Sequence, residues 1–247
     1  MAANSEPALV VMGYGVSDTL QLTVESQRLL PRFKFVYTLA APPNLRRYLQ
    51  AQNIRHIDLA AHFDQDRPHA DAYLDVIDVI LKSVAEDPPV ALLTQGNPLF
   101  MNSITRTLLT AAQRTGFVAR ALPAVSPLDA AISELGIDVA TFGLQVFDAS
   151  RLVSRDQAPN AAVPVLVLQL AGLGCQTTGT VQSPRPDRLV PLQAHLLRFY
   201  SGERPVTLLN PGNGHRPTAR ATTSLANLSS VAEHVIPESL LFIDAVR

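Results

Sequence analysis

Short, nearly all-apolar runs bounded by glycine or proline constrain this chain more than any other feature. Ala8–Met12 ends at Gly13, and Val90–Leu93 opens directly after Pro88 and Pro89. Runs this short with no polar alternation have no solvent face, so they read as strands covered on both sides, as in a parallel sheet. Such a sheet needs helical crossovers, and the sequence offers them. A helix is expected over Leu20–Leu30, then a strand over Phe33–Leu39 closed by Pro42 and Pro43. Asp71–Ala85 places Leu74, Ile77, Ile80, Leu81 and Val84 at helical spacing, with Asp71, Asp75, Asp78 and Lys82 elsewhere on the wheel. Asn102 or Ser103 can cap a helix running to Gly116, and Phe117–Leu122 is the next strand. Strands alternating with helices predict a doubly wound α/β sheet.

After Leu122, the run Ser126, Pro127, Asp129 has the chemistry of a helix N-terminus, and Gly136 of its end. Further on, Val163–Leu170, Pro205–Leu209 and Leu240–Val246 are expected strands and His195–Tyr200 lies on an expected helix. Gly172–Arg188 is rich in Gly, Thr, Ser and Pro and reads as a loop or edge hairpin. A boundary at Pro123-Ala124-Val125 divides the chain into residues 1–124 and 125–247, with a ligand cleft expected between the two domains.

The formal net charge of −1 and the lack of a long basic stretch argue against nucleic acid as a partner. The apolar runs are too short for a membrane span. One cysteine, Cys175, and no secretory leader pattern lead us to expect a cytoplasmic protein.

Gly13-Tyr14-Gly15 invites a dinucleotide reading, but Asp18 stands where the third glycine belongs and no acid ends the second strand. Phosphate-loop and nucleophile-elbow motifs are absent. His62, Asp64, Asp66, His69 and Asp71 crowd into ten residues. They match no established metal-ligand spacing, so a polar loop ahead of a helix is the expectation. Thr94-Gln95-Gly96-Asn97-Pro98 follows a buried strand, where main-chain groups can meet a ligand carrying a ribose and an amino acid, and the helix start at Ser126 can receive a carboxylate. A crossover turn and an ordinary capping box account for the same residues.

Taken together, three motifs resemble the tetrapyrrole methylase superfamily: Gly13–Thr19, Gly96-Asn97-Pro98 and Leu122-Pro123-Ala124-Val125-Ser126. Within it, Asp71-Ala72-Tyr73, Gly136-Ile137-Asp138, the run Gly143–Ser150 and Gln169 resemble the borosin-type peptide backbone α-N-methyltransferases. The resemblance implies a two-domain α/β fold, with a parallel-sheet N-terminal domain and a mixed-sheet C-terminal domain. It also implies S-adenosylmethionine as cofactor, held by Thr94, Gln95, Gly96, Asn97, Pro98, Phe100, Met101, Ser126, Gln169 and Leu170. Tyr73 and His69 would face the methyl acceptor, and a homodimer is implied. His69 stands where that family has an arginine, Phe63 and Gln95 where it has tyrosines, and Leu168 where it has a tryptophan. Fused members carry their substrate as a C-terminal extension. This chain ends at Arg247 after its expected last strand, so the expected acceptor is a separate peptide or peptide-like small molecule, methylated on nitrogen or oxygen.

Methyl transfer from a sulfonium is an in-line displacement in which alignment and proton removal do most of the work. Tyr73 would orient the acceptor or take its proton, helped if a neighbouring positive charge lowers its pKa. His69 would be a base for a more acidic acceptor. The competing readings are a non-catalytic cofactor-binding scaffold, a tetrapyrrole or other small-molecule methyltransferase, and a metal-dependent hydrolase built on His62–Asp71.

Overall fold

The computed structural model describes residues 6–17, 21–63, 67–175, 185–213 and 215–246. The backbone divides into two compact units, one up to Pro127 and one from Leu128 onward.

The first unit is built on five strands, β1 (Leu9–Gly13), β2 (Phe35–Thr38), β3 (His56–Asp58), β4 (Val90–Thr94) and β5 (Ala119–Leu122), all parallel and ordered β3-β2-β4-β1-β5. The two all-apolar runs are the adjacent central strands, and every residue of β1 and β4 is buried. Helices α1 (Val24–Leu29) and α2 (Pro43–Ala51) cover one face, where Leu30, Leu45 and Leu49 meet Val10, Met12, Val36, Ala91 and Leu93. Helices α3 (His69–Glu86) and α4 (Ser103–Arg114) cover the other, with Val76, Ile80, Ile104 and Leu108 against Leu9, Val11, Tyr37 and Leu92. Alternate residues of one strand thus enter different cores, which is why Leu9–Met12 and Val90–Leu93 contain no polar residue. Each large side chain buried in this way contributes about 1.5–3 kcal/mol.

Local signals explain the element ends, and several depart from the sequence reading. The first helix starts at Val24, where Thr23 accepts a hydrogen bond from the Ser26 amide at 3.1 Å; residue 20, the first of the expected helix, lies outside the described residues. Pro43 opens α2, a helix the sequence reading missed along with β3, because a proline pair was taken only as a strand terminator. Proline suits the first helical turn, where its missing N–H has no partner to lose. Helix α3 confirms the central expectation, although Leu74 is 56% exposed and falls outside the arc of Ala72, Val76, Ile80 and Val84. Asn102, not Ser103, caps α4, accepting from the Thr105 amide at 3.2 Å.

The second unit opens with α5 (Pro127–Leu135), which begins at the boundary itself, and α6 (Val139–Phe142). A second five-stranded sheet follows: β6 (Gln145–Asp148), β7 (Val165–Leu168), β8 (Pro205–Asn210), β9 (Ala219–Ser224) and β10 (Leu240–Ile243). The order is β6-β7-β10-β8-β9, with β6 and β7 parallel and the remaining pairs antiparallel. Helices α7 (Ala149–Ser154) and α8 (Val190–Leu196), with a 3-10 stretch over Leu225–His234, pack Leu152, Leu192, Leu196, Leu225 and Leu228 on Val165, Val167, Val206, Leu208 and Leu241. The helix expected over His195–Tyr200 instead ends at Leu196 and starts at Val190, with Pro191 in its first turn. The strand expected to reach Leu170 stops at Leu168, because Gln169 turns into the left-handed region at φ +61°. Of the expected Gly172–Arg188 loop, residues 176–184 lie outside the described residues.

The segments that carry the borosin resemblance are, in this unit, devices that shape the chain. Gly136 follows α5 at φ +64°, and Asp138 caps α6 through the Thr141 amide at 3.0 Å. Asp148 caps α7 through the Arg151 amide at 2.8 Å. The Gln145 amide donates to the carbonyls of Asn160 and Val163 at 2.8 and 3.1 Å and accepts from the Asn160 N–H at 2.8 Å, closing the loop between α7 and β7.

Candidate functional site

The topology of the first unit selects one place for a ligand. The chain leaves β1 over the α1 face to reach β2, and leaves β4 over the α4 face to reach β5. Since β1 and β4 are neighbours in register, Gly13 opposite Thr94, their carboxyl ends diverge to opposite faces and leave a crevice. Ligands of open parallel sheets bind at such a switch point.

Backbone lines this crevice. The Tyr14 N–H donates to the Thr94 carbonyl at 2.9 Å, and the Gly96 N–H donates to the Gly15 carbonyl at 2.9 Å, forming a bridge between the two loops. A Cβ on Gly13 would stand 1.9 Å from the Gly96 carbonyl oxygen and 2.6 Å from Ala124 Cβ, so only glycine permits the loops to cross there. Gly96 itself has φ +68°. Beyond it, the Asn97 side chain accepts from the Leu99 amide at 3.0 Å and the Asn97 carbonyl from the Phe100 amide at 3.1 Å. Met101 then takes φ +50°, a conformation costing about 1 kcal/mol for a non-glycine residue, before Asn102 starts α4. Gln169 at the end of β7 carries the same kind of strain in the second unit, and Leu170 beside it has its side chain wholly in that unit's core, so it can offer a ligand only main-chain groups.

These features fit a ligand rich in groups that main-chain N–H and C=O can hydrogen-bond. The loop Thr94-Gln95-Gly96-Asn97-Pro98 has no charged residue, and the Thr94 hydroxyl is buried, with no hydrogen-bond partner among the described residues. Ser126 is buried at the start of α5, immediately ahead of Pro127, whose Cδ lies 3.3 Å from the position of a Gly96 Cβ.

Tyr73 reaches the same neighbourhood by a route the sequence does not display. It projects from the first turns of α3 between Phe63 and His69, at ring-centroid distances of 6.0 and 5.9 Å, and its hydroxyl hydrogen-bonds Ser103, the first residue of α4 after the glycine loop. Burial pushes the phenol pKa up, and the Ser103 hydrogen bond offsets part of that. The sequence reading allowed for a positive charge lowering it. Desolvation dominates instead, and the side chain is a protonated hydrogen-bond donor. His69 Nδ1 is buried without a hydrogen-bond partner among the described residues. Arg67, near the expected arginine position, is occupied by Asp75 at 2.7 Å.

Three residues that hold these loops were not read as site residues, Ser103 having been considered only as a helix cap. Gln21 accepts from the Val16 and Ser17 amides, Ser103 meets Tyr73, and Asp58 fixes the turn after β2. None belongs to a motif, and the unrecognised β3 concealed the last. Among the described residues no three His, Cys, Asp or Glu side chains form a metal-binding group; Asp64 and Asp66 of the crowded segment lie outside them. No helix among the described residues is long and apolar enough to cross a membrane.

Residues 8–210 match the family Tetrapyrrole (Corrin/Porphyrin) Methylases. The chain belongs to the tetrapyrrole methylase family. Among curated relatives, the methyltransferase/ribosomally synthesized cyclic peptide gymnopeptides precursor of Gymnopus fusipes is 27% identical over 168 residues, 68% of this chain and 40% of the relative. A methyltransferase/ribosomally synthesized type I borosin cyclic peptide precursor of Mycena rosella is 24% identical over 179 residues, 72% of this chain and 45% of the relative. This tetrapyrrole methylase chain therefore spans less than half the length of either. Among solved structures, the uroporphyrin-III C-methyl transferase of Thermus thermophilus in complex with S-adenosyl homocysteine superposes with a TM-score of 0.65 at 18% identity, covering 96% of each chain. The two-sheet architecture is that of the tetrapyrrole methylases.

Proposed function

We propose that this protein is an S-adenosylmethionine-dependent methyltransferase that methylates nitrogen or oxygen of a peptide or peptide-like small molecule. The observation that carries the cofactor half is the backbone-lined crevice at the β1/β4 switch point, where Gly13 and the uncharged 94–98 loop meet too closely for any side chain on Gly13. A fold neighbour bound to S-adenosyl homocysteine supports the same reading. Relatives named as cyclic peptide precursors support the peptide half.

When bound, the cofactor supplies an electrophilic methyl group, and the chain's own residues do the rest. Main-chain groups of Thr94, Gln95, Gly96, Asn97 and Pro98, with Phe100 and Met101, orient it. Ser126, buried just ahead of α5, adds to its surroundings in the first unit. Methyl transfer would require the acceptor to be aligned with that methyl group and to lose its proton. Tyr73, held protonated by burial, donates a hydrogen bond that orients the acceptor. His69 beside it takes the proton. Positioning supplies most of the rate gain in such a displacement.

A ligand that binds only the native state raises its stability, by about 2.7 kcal/mol at about 100 times Kd. Millimolar S-adenosylmethionine or S-adenosyl homocysteine should accordingly raise Tm by several degrees, and Asn97→Trp should abolish the rise. No shift with either ligand would refute the assignment. The acceptor class is read by mass spectrometry after incubation with S-adenosylmethionine and a panel of N-capped apolar decapeptides, with uroporphyrinogen as the alternative. Peptides should gain methyl groups, and Tyr73→Phe should lower that gain about 10-fold or more while cofactor affinity stays constant, the scale expected for one positioning hydrogen bond in the transition state. Methylated uroporphyrinogen in place of peptide would overturn the acceptor, methyl groups on the protein itself would make the acceptor internal, and an unchanged rate in Tyr73→Phe would remove that residue from the mechanism.

A further inference from the structure

Gln21 sits at the end of a chain of hydrogen bonds that leads to the cofactor loop. Its side-chain oxygen accepts from the Val16 amide at 2.7 Å and the Ser17 amide at 3.0 Å. Both residues are over nine-tenths buried, so water is a poor substitute acceptor for those amides. The same side chain packs under the turn: a Cβ on Gly15 would fall 2.3 Å from Gln21 Cβ and 2.6 Å from Oε1. Gly15, at φ +82°, is thereby held so that its carbonyl accepts the Gly96 N–H at 2.9 Å.

We propose, resting on the cofactor reading, that Gln21 is a positioning residue: by fixing the Gly13–Ser17 turn it holds Gly96, and through Gly96 the loop that meets the cofactor. A glutamine is well suited to this. It is neutral, it reaches both amides with one oxygen, and it adds no charge beside the uncharged Thr94–Pro98 loop. The interaction is made by an acceptor, so glutamate keeps it and leucine, of similar bulk, loses it.

The test uses three variants of the whole chain, S-adenosyl homocysteine calorimetry, and amide hydrogen exchange at Gly96, which needs no ligand. Gln21→Leu should bind S-adenosyl homocysteine at least 10-fold more weakly and exchange the Gly96 amide at least 10-fold faster. Gln21→Glu should stay within threefold of the parent in both. A residue serving stability alone would lower Tm in Gln21→Leu and leave affinity and Gly96 exchange unmoved, and that result overturns the proposal. Should Gln21→Leu fail to fold, Gln21→Asn, whose oxygen falls one methylene short, should move both readouts in the same direction by a smaller factor; parental Gly96 exchange there overturns the proposal equally. If the parent binds no S-adenosyl homocysteine, the cofactor reading falls, while Gly96 exchange still decides whether Gln21 holds the loop.

Discussion

Gly13→Ala should abolish binding of S-adenosyl homocysteine, weakening it more than 100-fold, and should destabilise the protein by about 3 kcal/mol, at the upper end of overpacking costs. The backbone conformation at Gly13 is that of an ordinary strand, so space alone makes the difference. The added methyl would lie 1.9 Å from the Gly96 carbonyl oxygen and 2.6 Å from Ala124 Cβ. No side-chain rotation relieves the first contact, because the oxygen belongs to the main chain. The strand cannot retreat either, being paired with β4 through Gly13 opposite Thr94 and with β5 through Met12 opposite Leu122. The 94–98 loop must move, and with it the surface that meets the ligand. Gly116→Ala is the control. Gly116 is left-handed at φ +86° but has open space around its Cβ position, so it should cost about 1 kcal/mol and leave affinity unchanged. Calorimetry and urea unfolding read both variants. Threefold or smaller loss of affinity in Gly13→Ala would show that the crossing of the two loops is not the binding surface.

A loss of about 3 kcal/mol without loss of binding is expected for Asp58→Ala, from removing several hydrogen bonds to one charged group. One carboxylate oxygen accepts from the amides of Ala40 and Ala60 at 2.9 and 3.0 Å, and the other from Ala41 at 3.1 Å. Together they hold Ala40 at φ +61°, where a non-glycine residue is strained. The Arg46 ion pair at 3.1 Å adds little, its guanidinium being half exposed. Asp58→Asn keeps one acceptor oxygen and should lose about half as much stability. Asp58 lies on β3, two strands from β4, roughly 10 Å across the sheet, so S-adenosyl homocysteine affinity should stay within threefold. A stability loss under about 1 kcal/mol would show that the turn after β2 holds itself.

Both variants touch residues whose importance differs in how visibly the sequence states it. Gly13 ends an apolar run and opens a glycine turn, so its place at a strand end is readable from its neighbours. What it avoids, the carbonyl of a residue 83 positions later, is not. Asp58 ends a three-residue strand on the sheet edge, a segment with too little apolar content to announce itself. Gln145, Asp138 and Asp148 show the converse. Their pattern is recognisable and carries the family resemblance, and only the fold shows that they close loops and cap helices.

The sequence by itself determined the class of fold, because hydrophobic run length and periodicity are local properties. Short apolar runs fit a sheet covered on both faces, and the helical spacing of Ile77, Ile80, Leu81 and Val84 fits a helix lying on a core, although Leu74, read with them, is exposed. Capping residues such as Asn102 and breakers such as Gly116 and Gly136 act within a few positions of themselves, so their effect could be read in place. Only the tertiary structure decided which loops face each other. The strand order β3-β2-β4-β1-β5 makes the first and fourth strands neighbours and creates the crevice between Gly13 and Gly96. The packing of α3 on α4 brings Tyr73 to Ser103, where burial sets its protonation. These are contacts between residues tens of positions apart, and their physical cause, the burial of two sheet faces at once, belongs to the assembled chain and to no single segment of it.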